Sequence, residues 1–183
     1  EPFNYGAAIV STKMENGKNP KDLVDTSSVS IITTEPEGAL AKKLMAELND
    51  SGISTSVHGL PEAATLSPDA DIISLVDLEI DFFQNISQQQ FKDFQDFLNS
   101  QKTGRVLWLT KPAQVNCQDP QSSLSIGLAR CIRAESQIPF HTLEIQPDEP
   151  CFAGLVAKLL NKIRRTVDDE LLSPDREYIV DEG

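Results

Sequence analysis

Few side chains in this sequence are of the types that do chemistry. His58 and His141 are its two histidines, each beside a short run that reads as a strand. His58 with Asp71 or Asp77 would make an acid–base couple, but both histidines read better as hydrogen-bonded structural residues. Cys117 follows a strand, where α/β folds place reactive groups, yet no neighbouring basic residue activates its thiol. With Cys131 and Cys151 it makes an odd set of three, widely spaced and without a C-x-x-C pair. That pattern argues against a disulfide framework and against zinc. Arg164 and Arg165, near Lys158 and Lys162, read as a solvated basic helix face.

Nucleotide chemistry would need a glycine-rich turn after the first strand, so that the backbone can approach a diphosphate at a helix N-terminus. Here the turn is Thr33-Thr34-Glu35-Pro36-Glu37-Gly38. One glycine remains, Pro36 removes an amide donor, and two carboxylates stand where a diphosphate would sit, so like charges oppose binding. Reduction of a ketone by a short-chain reductase further needs a Tyr that protonates the alkoxide and a Lys that lowers its pKa. The two tyrosines, Tyr5 and Tyr178, lie outside the αβ region, and no Tyr-x-x-x-Lys exists. Asp77 after the third strand, with Thr110-Lys111-Pro112 after the fourth, suggests a phospho-accepting receiver. That chemistry wants an acid pair after the first strand, for which Glu35 and Glu37 are the candidates, and its Lys-Pro after the fifth strand. The residues therefore predict no catalytic, cofactor-binding or metal site.

The elements that would position such groups alternate. Val29–Thr34 reads as a strand, followed by a helix from Gly38 to Leu48 with Leu40, Leu44, Met45 and Leu48 on one face. The cluster Asn49-Asp50-Ser51-Gly52 stops it. Ile53–Val57 and Asp71–Leu78 read as the second and third strands. Ser87 is a plausible N-cap for a helix from Gln88 to Leu98 with the stripe Phe91, Phe94, Phe97 and Leu98. Val106–Leu109 is an apolar fourth strand, and Trp108 within it reads as core. A helix from Ser122 to Glu135 is expected to bury Leu124, Leu128, Cys131 and Ile132. Phe140–Ile145 is the fifth strand, and a last helix runs from Cys151 to Arg165 with Phe152, Leu155, Val156, Leu159 and Ile163. This alternation predicts βαβ units, hence a truncated Rossmann-like, doubly wound α/β fold. About five parallel strands with helices on both faces are expected, in the order third, second, first, fourth, fifth.

The chain has 183 residues, enough for one domain with tails. Residues 1–28 read as an arm or linker, 29–165 as the domain, and 166–183 as an acidic linker containing the strand-like Arg176–Val180. Glu1-Pro2-Phe3 has neither an initiator Met nor a signal peptide's layout, and reads as the start of a cut fragment. Lys and Arg number 16 against 28 Asp and Glu, a formal net charge of −12. That surface disfavours nucleic acid and anionic membranes. No apolar run approaches a transmembrane span of about 20 residues. The three widely spaced cysteines make a reducing, cytoplasmic environment the expectation. The sequons at Asn49 and Asn85 then read as chance.

Leu107-Trp-Leu-Thr-Lys-Pro-Ala-Gln114 and Gly127-Leu-Ala-Arg-Cys-Ile-Arg-Ala-Glu135, followed by Thr142-Leu-Glu-Ile145, resemble the structural, or pseudo-, ketoreductase subdomain of polyketide synthases and animal-type fatty acid synthases. Ile73-Ser-Leu-Val-Asp-Leu-Glu79 and Phe91-x-x-Phe94 are similar to the fungal highly reducing polyketide synthases in particular. Arg176-Glu-Tyr-Ile-Val180 looks like the lead-in to an enoylreductase domain. The resemblance covers residues 29–181. It implies a non-catalytic domain that packs against the catalytic ketoreductase and the adjoining enoylreductase of the same chain. A fragment cut at both ends is further expected to carry an apolar patch larger than the ~300–600 Å² of a typical monomer, on the face that meets the catalytic ketoreductase. It also implies a parent synthase that is a homodimer using NADPH and phosphopantetheine, neither of them bound by this domain. Nothing catalytic carries over, and Arg130, Arg133 and Glu135 on the matching helix read as salt-bridging and packing residues. The alternative is an active NADPH-dependent reductase with a divergent phosphate turn.

Overall fold

The computed structural model describes residues 28–115, 117, 119–149, 151–165 and 175–180. The arm at 1–27, with Tyr5, and most of the acidic stretch after Arg165 lie outside the described residues. In chain order the elements are β1 (Ser28–Ile32), α1 (Ala39–Asp50), β2 (Ser54–His58), α2 (Leu60–Ala63), β3 (Asp71–Ser74) and α3 (Val76–Glu79). They continue with α4 (Gln88–Ser100), β4 (Val106–Thr110), α5 (Ser123–Glu135), β5 (Phe140–Glu144), α6 (Phe152–Arg165) and β6 (Glu177–Ile179). The strands form one parallel sheet in the order β2-β1-β3-β4-β5-β6. The Rossmann-like α/β architecture is therefore as read from the alternation.

The strand order is not. β3, expected at the edge, pairs with β1, and β2 takes the edge. Composition explains the exchange. All four residues of β3 are buried, as a strand covered on both faces requires. β2 is Ser-Thr-Ser-Val-His, with no fully buried residue, and only an edge tolerates that. A sixth strand joins at the opposite edge, where the strand-like piece near Tyr178 pairs with β5. β3 is also shorter than expected: the chain turns into α3 after Ser74, so Asp77 and Glu79 lie on a helical turn rather than along a strand.

Successive strand residues point to opposite faces and divide the core in two. Ile31, Ile73 and Leu107 join α1 and α6 on one side. Ile32, Ile72 and Trp108 join α2, α4 and α5 on the other. Trp108 is 1% exposed, and its ring lies 5.5 Å from that of Phe94 and 6.0 Å from that of Phe140. Ser87 caps α4 as expected: its Oγ accepts from the Gln90 amide while Gln90 Oε1 accepts from the Ser87 amide. Gly52 ends α1 at φ +79°, a conformation that favours glycine.

Two helix faces differ from expectation. α5 buries Ser125, Ile126, Ala129 and Ile132, whereas Leu124 and Cys131 are exposed and Leu128 is half-buried. The helix is rotated because Ser125 turns inward to a buried carboxyl. In α4 Phe91 is 47% exposed while Phe94 and Phe97 are buried. Arg164 is no solvated cation: its Nε donates to Asp71 Oδ2 at 2.7 Å, and its side chain is 13% exposed.

Candidate functional site

In open α/β sheets ligands bind beyond the carboxyl ends of the strands, where the strand order reverses. Here that point lies between β1 and β3, beside the turn at 33–38 that the sequence singles out. Three of the turn's donors meet one carboxylate. The Thr34 amide and the Thr34 Oγ1 hydroxyl each donate to Glu79 Oε2 at 2.7 Å, and the Thr33 hydroxyl donates to Glu79 Oε1. Thr33 Oγ1 also accepts from the Glu35 amide at 3.0 Å, which fixes its proton towards Glu79. Glu35 and Glu37, expected at the anion seat, are exposed, and Glu37 pairs with Lys42 at 2.9 Å. Hydrogen bonding to Lys42, then its charge, lowers the Glu37 pKa. The carboxylate in the seat comes from another element, 45 residues along the chain.

A second group lies beyond β3 and β4. Asp77, 6% exposed, accepts on Oδ2 from Thr110 Oγ1 at 2.8 Å and from Ser125 Oγ. Burial raises its pKa above the usual 3.8, against the lowering pull of the two hydroxyls and of Lys111. Lys111 itself donates to Asp81 at 2.5 Å. The adjoining cavity, lined by Asp77, Phe83, Asp119, Leu124 and Ser125 among others, holds about 10 Å³. That is room for about one water molecule, against the several hundred Å³ of a small-molecule site. Among the described residues no trio of His, Cys, Asp or Glu is placed to hold a metal ion. The receiver set is not brought together, since Asp77 is turned inward and Glu35 and Glu37 face solvent.

A third carboxylate closes the next crevice. Glu144, fully buried at the end of β5, accepts on Oε2 from the amides of Ala113 at 2.7 Å and Gln114 at 2.9 Å, and on Oε1 from Gln114 Nε2 at 2.6 Å.

The remaining candidates are scattered. His58, on the edge strand, contacts Ser56 Oγ at 2.9 Å and lies 4.0 Å from Glu62; neither Asp71 nor Asp77 is among its contacts. His141 is buried against the Tyr178 ring, and burial first, then the Arg176 charge, lowers its pKa to about 4. Tyr178 donates to the Asp175 carbonyl at 2.8 Å, and burial raises its pKa to about 12. A proton-donating reductase Tyr needs the opposite shift. Cys117, Cys131 and Cys151 are exposed thiols. Arg130 and Arg133 both bind Glu177 of β6, as their reading as salt-bridging residues anticipates, and Glu135 is exposed.

The family model described as HRPKS sdrA-like, NAD(P)-binding Rossmann-fold domain matches residues 25–172. A highly reducing polyketide synthase of a Fusarium species is 31% identical over the whole chain. A highly reducing polyketide synthase of Purpureocillium lilacinum is 27% identical, also over the whole chain. A squalestatin hexaketide synthase of Cochliobolus lunatus is 32% identical over 88% of it. The chain spans 6–7% of the length of these curated relatives. The family's description names a dinucleotide, but the residues at the β1–α1 turn do not fit its diphosphate, because Glu79 takes up the donors that would hold it. Among the described residues no helix is long and apolar enough to cross a membrane.

Proposed function

The chain belongs to the HRPKS sdrA-like, NAD(P)-binding Rossmann-fold domain family, and we propose that within a highly reducing polyketide synthase it is a non-catalytic structural domain. It packs against the catalytic ketoreductase and adjoining enoylreductase of the same chain and holds them in the reducing region. In this reading the parent is a homodimer, and NADPH and phosphopantetheine serve its other domains. The observation that carries the proposal is the seating of Glu79 on the donors of the β1–α1 turn, where a cofactor's phosphate would have to bind. The inward-facing Asp77, the high pKa of Tyr178 and the small cavity support it.

The large apolar side chains exposed among the described residues are Ile80, Phe91 and Leu124. They follow α3 or lie on α4 and α5, and we place the neighbouring reductase there. Ile80→Asp, Phe91→Asp and Leu124→Asp leave the 183-residue chain folded. In the intact synthase they depress turnover of a thioester ketone. Unchanged turnover across all three overturns the scaffold reading and leaves a passive linker. The second reading, an active NADPH-dependent reductase, has the family's description in its favour and requires Glu79 to leave its seat.

A further inference from the structure

Strand order decides which residues can reach the β1–α1 turn. Neighbouring strands lie about 4.8 Å apart. With β3 beside β1, the chain leaves β3 at Ser74, and Leu75 donates to the Ile32 carbonyl at 2.8 Å. The single turn of α3 then delivers Glu79 to Thr33 and Thr34. In the expected order β2 would intervene, setting β3 about 10 Å from β1, and this carboxylate would not reach. The donors it meets are those of an anion seat: one backbone amide and two hydroxyls converging on two oxygens. Hydrogen bonds to an ionised acceptor are stronger than neutral ones. The hydroxyl of Thr33, which is 1% exposed, accepts from the Glu35 amide on one lone pair and directs its proton to Glu79.

We propose that Glu79 is the resident anion of the β1–α1 turn: its carboxylate replaces a ligand's phosphate, and removing it turns the seat into a binding site for a free tetrahedral oxyanion. The proposal deepens the non-catalytic reading and rests on it, since it names what closes the turn. Glu79 is only partly buried, so an anion from solvent can enter once the side chain is gone.

The test uses the 183-residue chain and inorganic phosphate, with chloride adjusted to hold ionic strength constant, and reads the Thr34 amide by two-dimensional NMR. In the wild type the Thr34 resonance does not titrate with phosphate. In Glu79→Ala it moves saturably, and the midpoint of thermal unfolding, lowered by the substitution, recovers with phosphate more than the wild type gains. Glu79→Gln keeps a carbonyl oxygen for the Thr34 amide, folds in chloride, and stays indifferent to phosphate. No titration in Glu79→Ala, or equal titration in the wild type or in Glu79→Gln, overturns the proposal. If Glu79→Ala folds only with phosphate, the proposal stands; if phosphate does not restore its fold, it falls. NADPH is absent from every arm, so a cofactor bound elsewhere on the domain would defeat the scaffold reading without altering this result.

Discussion

At the amino ends of the strands Asp71 lies between two guanidinium groups. Arg105 donates to its Oδ1 through the backbone amide at 3.1 Å and through the side chain at 3.4 Å, and Arg164 donates to Oδ2 at 2.7 Å. At the carboxyl ends Asp77, Glu79 and Glu144 are held mainly by neutral donors: hydroxyls, amides and one side-chain amide. Both ends therefore hold acids within the protein, but they hold them differently. Paired charges at the amino end tie β3, α6 and the residue before β4 together, and engage the Arg105 amide as well. Carboxylates on neutral donors take up the very groups that an anionic ligand needs. A sheet that binds nucleotides keeps those donors open at its carboxyl end, and here they are filled from inside.

The comparison breaks most readily at Asp71. Asp71→Ala strands Arg164, whose side chain is 13% exposed, and is expected to cost about 3–5 kcal/mol by urea unfolding, as removal of one partner from a buried pair does. A loss below about 1 kcal/mol would make the amino end no different from a surface ion pair.

His141 resembles the carboxyl end in that burial, not a counter-charge, governs its protonation. Its folded pKa of about 4 lies below the usual 6.5, so the unfolded chain binds the extra proton first. Stability is full above 6.5 and falls as pH drops from 6.5 to about 4, by up to about 3 kcal/mol at 1.36 kcal/mol per pKa unit. His141→Gln is expected to flatten that limb of the profile. A slope unchanged in the variant would assign the acid sensitivity to another group.

Asp77 shifts the other way. Its pKa is raised in the folded state, so its contribution is present below 3.8 and is lost as pH rises through the raised value. Asp77→Asn keeps an oxygen for Thr110 and Ser125, and is expected to lie within about 1 kcal/mol of the wild type at neutral pH. It should gain on the wild type as pH rises from 3.8 through the raised value. A variant that instead loses ground over that range would mean the carboxylate is stabilised by charge, as at the amino end.

The sequence makes the α/β alternation, the Ser87 cap, the Gly52 stop and buried Trp108 legible, because each rests on local spacing or on a run of apolar residues. The order of β2 and β3 was legible in the same residues. Ser54–His58 is too polar for an interior strand, and Ile72-Ile73 is too apolar for an edge. The inward turn of Ser125 was not, since the hydrophobic stripe of α5 gives no hint of a carboxyl waiting across the sheet. At the turn after β1, Pro36 and the scarcity of glycine point to a closed site, while the acids near at hand mislead. Glu35 and Glu37 face solvent, and the residue in the seat is Glu79, which only strand adjacency brings there.

Calorimetric titration of the 183-residue chain with NADPH at neutral pH tests the central claim most directly. A turn filled by Glu79 predicts no saturable heat. A micromolar dissociation constant, abolished by excess NADP⁺ and weakened by substitutions at Thr33 or Thr34, would contradict it.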